Sequence, residues 1–108
     1  MFIDPSTDAV RRAACLGADF VELHTGHYAD SNSQKAAAAE FKKIADAARL
    51  AKKLGLGVNA GHGLNYSNIK PLRKIEEIQE YSIGHSVISR AVMVGLRRAV
   101  LEMIALIK

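Results

Sequence analysis

Three of the four histidines, His24, His62 and His85, stand where short apolar runs end, each with a glycine within two residues. An imidazole titrates near neutrality and can give or take a proton. In Asn59-Ala60-Gly61-His62-Gly63 the two glycines allow a ligand to approach the backbone closely, and the N–H groups there suit an anion. Gly84-His85-Ser86 repeats the pattern, and Ser86-Val87-Ile88-Ser89 predicts a short helix whose first amides face a phosphate. Glu22 alternates with His24 along a strand-like run, so both share one face. Turned inward, a carboxylate meets desolvation that suits it to proton transfer. A plainer reading stands beside each: a tight turn with an exposed histidine, or a carboxylate paired with a neighbouring imidazole. Imidazole and carboxylate also suit zinc or iron, which would draw on Glu22, His24, His62 and His85. No HxH pair supports that arrangement, and a metal is not expected.

The elements that must position these residues alternate between β-like and helical runs. Phe2-Ile3-Asp4 ends a strand, and Pro5-Ser6-Thr7-Asp8 offers several helix N-caps. Ala9, Val10, Ala13, Ala14 and Leu16 form a short apolar face before Gly17. Residues 19–25 predict a strand, 26–33 a polar loop holding the fourth histidine, His27, and 34–54 the longest helix. In that helix Ala37, Phe41, Ile44, Ala48 and Ala51 recur at three and four residues. A strand over 56–60 runs into Gly61, a short helix over 65–75 is compromised by Pro71, a last strand covers 80–83, and a terminal helix spans 90–108. The predicted helices contain no histidine.

Such alternation, without hairpin signals, predicts an α/β fold with a parallel sheet and helices outside it. Four βα units are half of a (β/α)8 TIM barrel, or a small doubly wound sheet. The half-barrel is the expectation, because only Phe2 and Ile3 precede the first strand's exit while a barrel strand has about five residues. The whole of residues 1–108 is therefore expected to be one C-terminal half-barrel, strands five to eight, cut at its N-terminus, with the upstream residues missing or supplied by a partner. Ligands of parallel α/β proteins bind beyond the carboxyl ends of the strands, where Asp4, Glu22, His24, Asn59, His62 and His85 all fall.

Composition narrows the classes. Hydrophobic residues make up 49% of the chain and charged residues 24%, ordinary globular usage. No apolar run approaches the roughly 20 residues of a membrane span, and a signal peptide is not expected, because residues 1–5 hold no basic region and no long apolar stretch. Cys15 is the single cysteine, so no disulfide framework exists, and a cytoplasmic setting is expected. The net charge of +4 is spread over doublets such as Lys42-Lys43 and Arg97-Arg98, which read as solvated helix faces. No aromatic residues interleave with them as a nucleic-acid surface requires, so neither nucleic acid nor membrane is an expected partner.

Phe2-Ile3-Asp4, Val21-Glu22-Leu23-His24-Thr25-Gly26 with Tyr28-Ala29-Asp30, Val58-Asn59-Ala60-Gly61-His62-Gly63-Leu64, and Ile83-Gly84-His85 with Arg90-Ala91-Val92 carry a resemblance. Together with their spacing they resemble the pyridoxine 5′-phosphate synthases over the whole chain, which corresponds to that family's barrel from strand five onward. The resemblance implies vitamin B6 biosynthesis: condensation of 3-amino-2-oxopropyl phosphate with 1-deoxy-D-xylulose 5-phosphate, releasing pyridoxine 5′-phosphate, inorganic phosphate and water, with no metal or organic cofactor. It implies that His62 is the proton donor, that Glu22 stabilises a transition state, and that Gly63, Gly84 and His85 hold the aminoketone phosphate. The family's other catalytic histidine and glutamate lie in the first half-barrel and have no counterpart here. Pro71 also interrupts a helix that is more regular in the family. The chain is accordingly expected to be inactive alone and to form a homo-oligomer or to join a missing N-terminal half. The alternatives are a non-catalytic phosphate-binding half-barrel and an assembly module.

Overall fold

A computed structural model describes residues 1–107; Lys108, the end of the predicted terminal helix, lies outside the described residues. The chain runs β1 (Phe2–Ile3), α1 (Thr7–Cys15), β2 (Phe20–His24), α2 (Gly26–Ala29), α3 (Gln34–Lys53), β3 (Gly57–Gly61), α4 (Ile69–Leu72), β4 (Glu80–Ser82), α5 (His85–Val94) and α6 (Leu96–Ile107). All strand pairings are parallel, in the order β1-β2-β3-β4. Sequential order without a reversal means that each crossover returns on the same side, which is not the doubly wound arrangement.

Local chemistry sets the helix boundaries. Ser6 caps α1 by accepting a hydrogen bond from the Ala9 amide at 3.1 Å, and Ser33 caps α3 through the Ala36 amide at the same distance. The buried stripe of α3, Ile44, Ala47, Ala48 and Ala51, joins the core made by Val21, Leu23, Val58 and Ala60. Alternation along β2 buries Val21 and Leu23 completely and leaves Glu22 and His24 half-buried on the opposite face. That second face is mixed rather than the uniformly apolar inner face that an open half-barrel suggests. Phe2 and Phe20 are 55% and 53% exposed, while Glu22 and His24 share that face of β2 and Asn59 is in register with Glu22 on β3.

Four details differ from the sequence expectation. The predicted loop after β2 holds a single helical turn, α2, closed by Ala29 N–H to Thr25 O and Asp30 N–H to Gly26 O, both 2.9 Å. The helix expected over 65–75 shrinks to Ile69–Leu72 because the asparagines before it bond locally. Asn65 Oδ1 accepts from the Ser67 and Asn68 amides at 2.8 Å, and Asn68 Oδ1 accepts from the Asn65 amide at 2.7 Å. The short helix expected at 86–89 is the first part of the ten-residue α5, and the terminal helix begins only at Leu96. Gly95, at φ 88° and ψ 152°, separates the two in a conformation that only glycine adopts readily. Finally, helices do carry histidine: His27 lies in α2 and His85 opens α5.

Candidate functional site

The carboxyl ends of β3 and β4 and the start of α5 enclose the principal cavity, about 1040 Å³. Glu22, His62, Gly63, Gly84 and His85 all line it, with Phe2, Ser82 and Ser86 among the remaining wall. Five residues drawn from three separate chain segments therefore meet at one opening. Asp4 and His27 line a different cleft of about 560 Å³ at the start of α1, and they are not brought to this site.

Glu22 is anchored across the sheet. Ser82 Oγ on β4 donates to Glu22 Oε1 on β2 at 2.8 Å, over the top of β3. Gly61 on β3 makes this crossing possible. A Cβ there would lie 2.9 Å from Ser82 Cβ and 3.3 Å from Glu22 Oε2. The glycine expected to admit a ligand thus admits two protein side chains to each other. A serine inside a strand carries no motif, so sequence alone does not single out Ser82; its register opposite Gly61 is the available signal.

His62 has φ 93°, a positive value unusual for a residue with a Cβ. Its ring stacks on His24 with centroids 4.5 Å apart and planes at 27°. Phe2 meets the His24 ring edge-on at 5.1 Å, and the Gly26 amide donates to His24 Nδ1 at 3.1 Å. A neutral His24 therefore carries its proton on Nε2. Gly26 is needed for room, since a Cβ there would strike the His24 ring and approach His62 Cδ2 to 2.9 Å. Gly63 is needed for conformation, at φ 75°, and for room against Ala29. Among the described residues, no group of three histidine, cysteine, aspartate or glutamate side chains is placed to hold a metal ion, and His24 meets His62 face to face.

The α5 end of the cavity offers backbone donors. Gly84 is the N-cap of α5, with no side chain bonding the helix end, and no acidic residue sits in the first turn. The opening amides of a helix lack intrahelical partners and carry partial positive charge. Ser86 Oγ is turned away from them and donates to Leu64 O at 2.9 Å, joining α5 to the loop after β3. No lysine or arginine appears among the described residues of the cavity wall, where the His62 and His85 imidazoles stand with Asn65 and Ser89. Helix α5 itself buries no residue completely and rests on α6. Arg90 Nε and Nη2 donate to the two Glu102 oxygens at 2.9 and 3.2 Å. That hydrogen bond holds the Glu102 carboxyl below its usual range and the Arg90 guanidinium above its own.

Support comes from tyrosines on the core side. Tyr28 O–H donates to Asn68 O at 2.7 Å and Tyr66 O–H to Ala99 O at 2.7 Å, tying α2 and α6 to the loop that follows His62. Burial pushes the Tyr28 hydroxyl up, which keeps it a donor over the neutral range. Asn59 lies in register with both Glu22 and Glu80, and its Oδ1 is buried without a hydrogen-bond partner among the described residues.

The family model described as pyridoxal phosphate biosynthesis protein PdxJ matches residues 1–108. The chain belongs to the PdxJ family. Among its curated relatives, the pyridoxine 5′-phosphate synthase of Geotalea daltonii is 56% identical over 108 residues, all of this chain and 45% of that protein. Those of Geotalea uraniireducens and Geobacter metallireducens are 52% and 51% identical over the same span, again 45% of each. The chain thus spans somewhat under half the length of the PdxJ proteins it matches. No helix of the described residues is long and apolar enough to cross a membrane.

Proposed function

We propose that this chain supplies half of the active site of a pyridoxine 5′-phosphate synthase, condensing 3-amino-2-oxopropyl phosphate with 1-deoxy-D-xylulose 5-phosphate. The observation that carries the reading is the convergence of Glu22, His62, Gly63, Gly84 and His85 on one cavity of about 1040 Å³ in a PdxJ chain. The volume is at the upper end of the range for small-molecule sites.

In this reading the aminoketone phosphate sits with its phosphate at the start of α5. The amides after Gly84 and the His85 imidazole meet its charge, and Gly63 lets the neighbouring loop approach. Closing the ring expels water, and a hydroxyl leaves readily only when protonated. His62, at the mouth of the same cavity, is the proton donor. Glu22, held by Ser82, presents its second oxygen to positive charge that develops as the amine and carbonyl groups combine. No cofactor enters these steps.

The four strands are read as strands five to eight of a (β/α)8 barrel. The singly wound order and the one-sided placement of the helices support this. The outer strands β1 and β4 would then meet an N-terminal half or another copy, which would also cover Phe2 and Phe20. A cytoplasmic setting and phosphorylated small molecules as ligands belong to the same proposal.

The test is pyridoxine 5′-phosphate formation from the two substrates, with this chain alone and with the N-terminal half of a PdxJ relative added as a separate polypeptide. Product only with both halves is the expected result. No product from a co-folded pair would leave a phosphate-binding remnant and overturn the catalytic assignment.

A further inference from the structure

We infer that Thr25 is a positioning residue for His62, fixing the backbone turn from which the imidazole enters the cavity. The inference rests on His62 acting as proposed above, but its geometry stands apart from that role. Thr25 is fully buried, yet it carries a hydroxyl where its isostere valine would fill the same volume. The hydroxyl lies 2.8 Å from Gly61 O and 2.7 Å from His62 O, and its single proton is shared between them. The Thr25 amide also donates to Gly61 O at 2.9 Å.

Along an extended strand, successive carbonyls point to opposite edges. Here two consecutive carbonyls turn to the same hydroxyl, and the reversal is made at His62 by its φ of 93°. That conformation is unfavourable for a residue with a Cβ and persists where surrounding bonds hold it. The flanking residues complete the grip. Gly26 N–H fixes His24 Nδ1, and the His24 ring backs the His62 ring. Thr25 thus holds the main chain of His62, while its neighbours hold the ring.

The test combines three variants, Thr25→Val, Thr25→Ser and His62→Gly, with two readouts that need no turnover. In the full chain labelled with 13C-histidine, Thr25→Val is expected to shift the His62 ring resonances and leave those of His85 in place, with Thr25→Ser restoring them. Glycine relieves the positive φ, so Thr25→Val is expected to destabilise the His62→Gly background less than the native one. In whichever assembly makes product, Thr25→Val is expected to lower kcat roughly 10- to 100-fold while KM moves less than about threefold. Unmoved His62 resonances, or equal destabilisation in both backgrounds, would reduce Thr25 to an ordinary core residue and overturn the inference. Loss of folding in both backgrounds would do the same, whereas folding rescued by His62→Gly would support it. Should the wild-type chain make no product in any assembly, the functional reading falls, and the resonances and the double-mutant cycle still decide the role of Thr25.

Discussion

Ser82 and Glu22 are hydrogen-bonded at 2.8 Å although a whole strand separates them, because the residue between them on that strand is Gly61. The missing Cβ is a structural requirement of the site floor. It links a sequence choice on β3 to the orientation of a carboxylate on β2.

Gly61→Ala should therefore cost more than removing the hydrogen bond itself. The added methyl meets Ser82 Cβ at 2.9 Å and the Ser82 backbone oxygen at 3.2 Å. Overpacking of this kind costs about 1–3 kcal/mol. Ser82→Ala removes an exposed bond and should cost under about 1 kcal/mol. Denaturant unfolding of both variants checks the order, and a larger loss from Ser82→Ala would contradict it.

At the other wall of the cavity, phosphate recognition should follow the start of α5. His85→Ala is expected to weaken inorganic phosphate binding about tenfold, the scale of one charge-assisted hydrogen bond. Ser89→Asp places a like charge on the same wall and should weaken it further. Added salt should lower the affinity of every variant. Titration calorimetry reads these changes, and unaltered affinity in both variants would place the anion elsewhere.

The bond between α5 and α6 has a defined pH range. The Glu102 carboxyl is held below its ordinary value, chiefly by the hydrogen bond from Arg90. Its contribution is therefore fully present above the unfolded carboxylate value of about 4.5 and is lost as pH falls through the lower folded value. Amide exchange in α5, corrected for the intrinsic rate at each pH, should quicken in acid and change little around neutrality. Glu102→Gln should flatten that dependence, and an unchanged profile would remove Glu102 from the account.

Gly95→Ala isolates backbone conformation from crowding, because nothing lies within 4 Å of a Cβ built there. At φ 88° and ψ 152° the substitution should cost about 1–3 kcal/mol and loosen α5 relative to α6. Thermal unfolding measures the loss, and a neutral result would show that the two helices join in another way.

Much of this is legible in the sequence. The alternation of Val21, Glu22, Leu23 and His24 gave the strand and its two faces, and the three- and four-residue recurrence from Ala37 to Ala51 gave α3 to within a residue of its end. That His62, His85 and Glu22 line one cavity was legible because the two histidines follow parallel strands beside glycine, and Glu22 shares a strand face with His24. What escaped depends on three dimensions. The pairing of Asn65 with Asn68 competes with a helix that periodicity alone supports. The break at Gly95 was written in a glycine, but apolar residues on both sides masked it. Ser82 and Thr25 carry no motif, and their importance appears only when register sets one beside Gly61 and the other beside the His62 carbonyl.

The most direct measurement is the rate of pyridoxine 5′-phosphate formation by His62→Asn beside the wild-type chain, each paired with the N-terminal half of a PdxJ relative. Proton donors of this kind contribute roughly 100- to 10,000-fold. The expected result is a fall in kcat on that scale, with phosphate affinity changed less than about threefold because the anion end at α5 is untouched. Turnover near wild type with asparagine at position 62 would contradict the central claim.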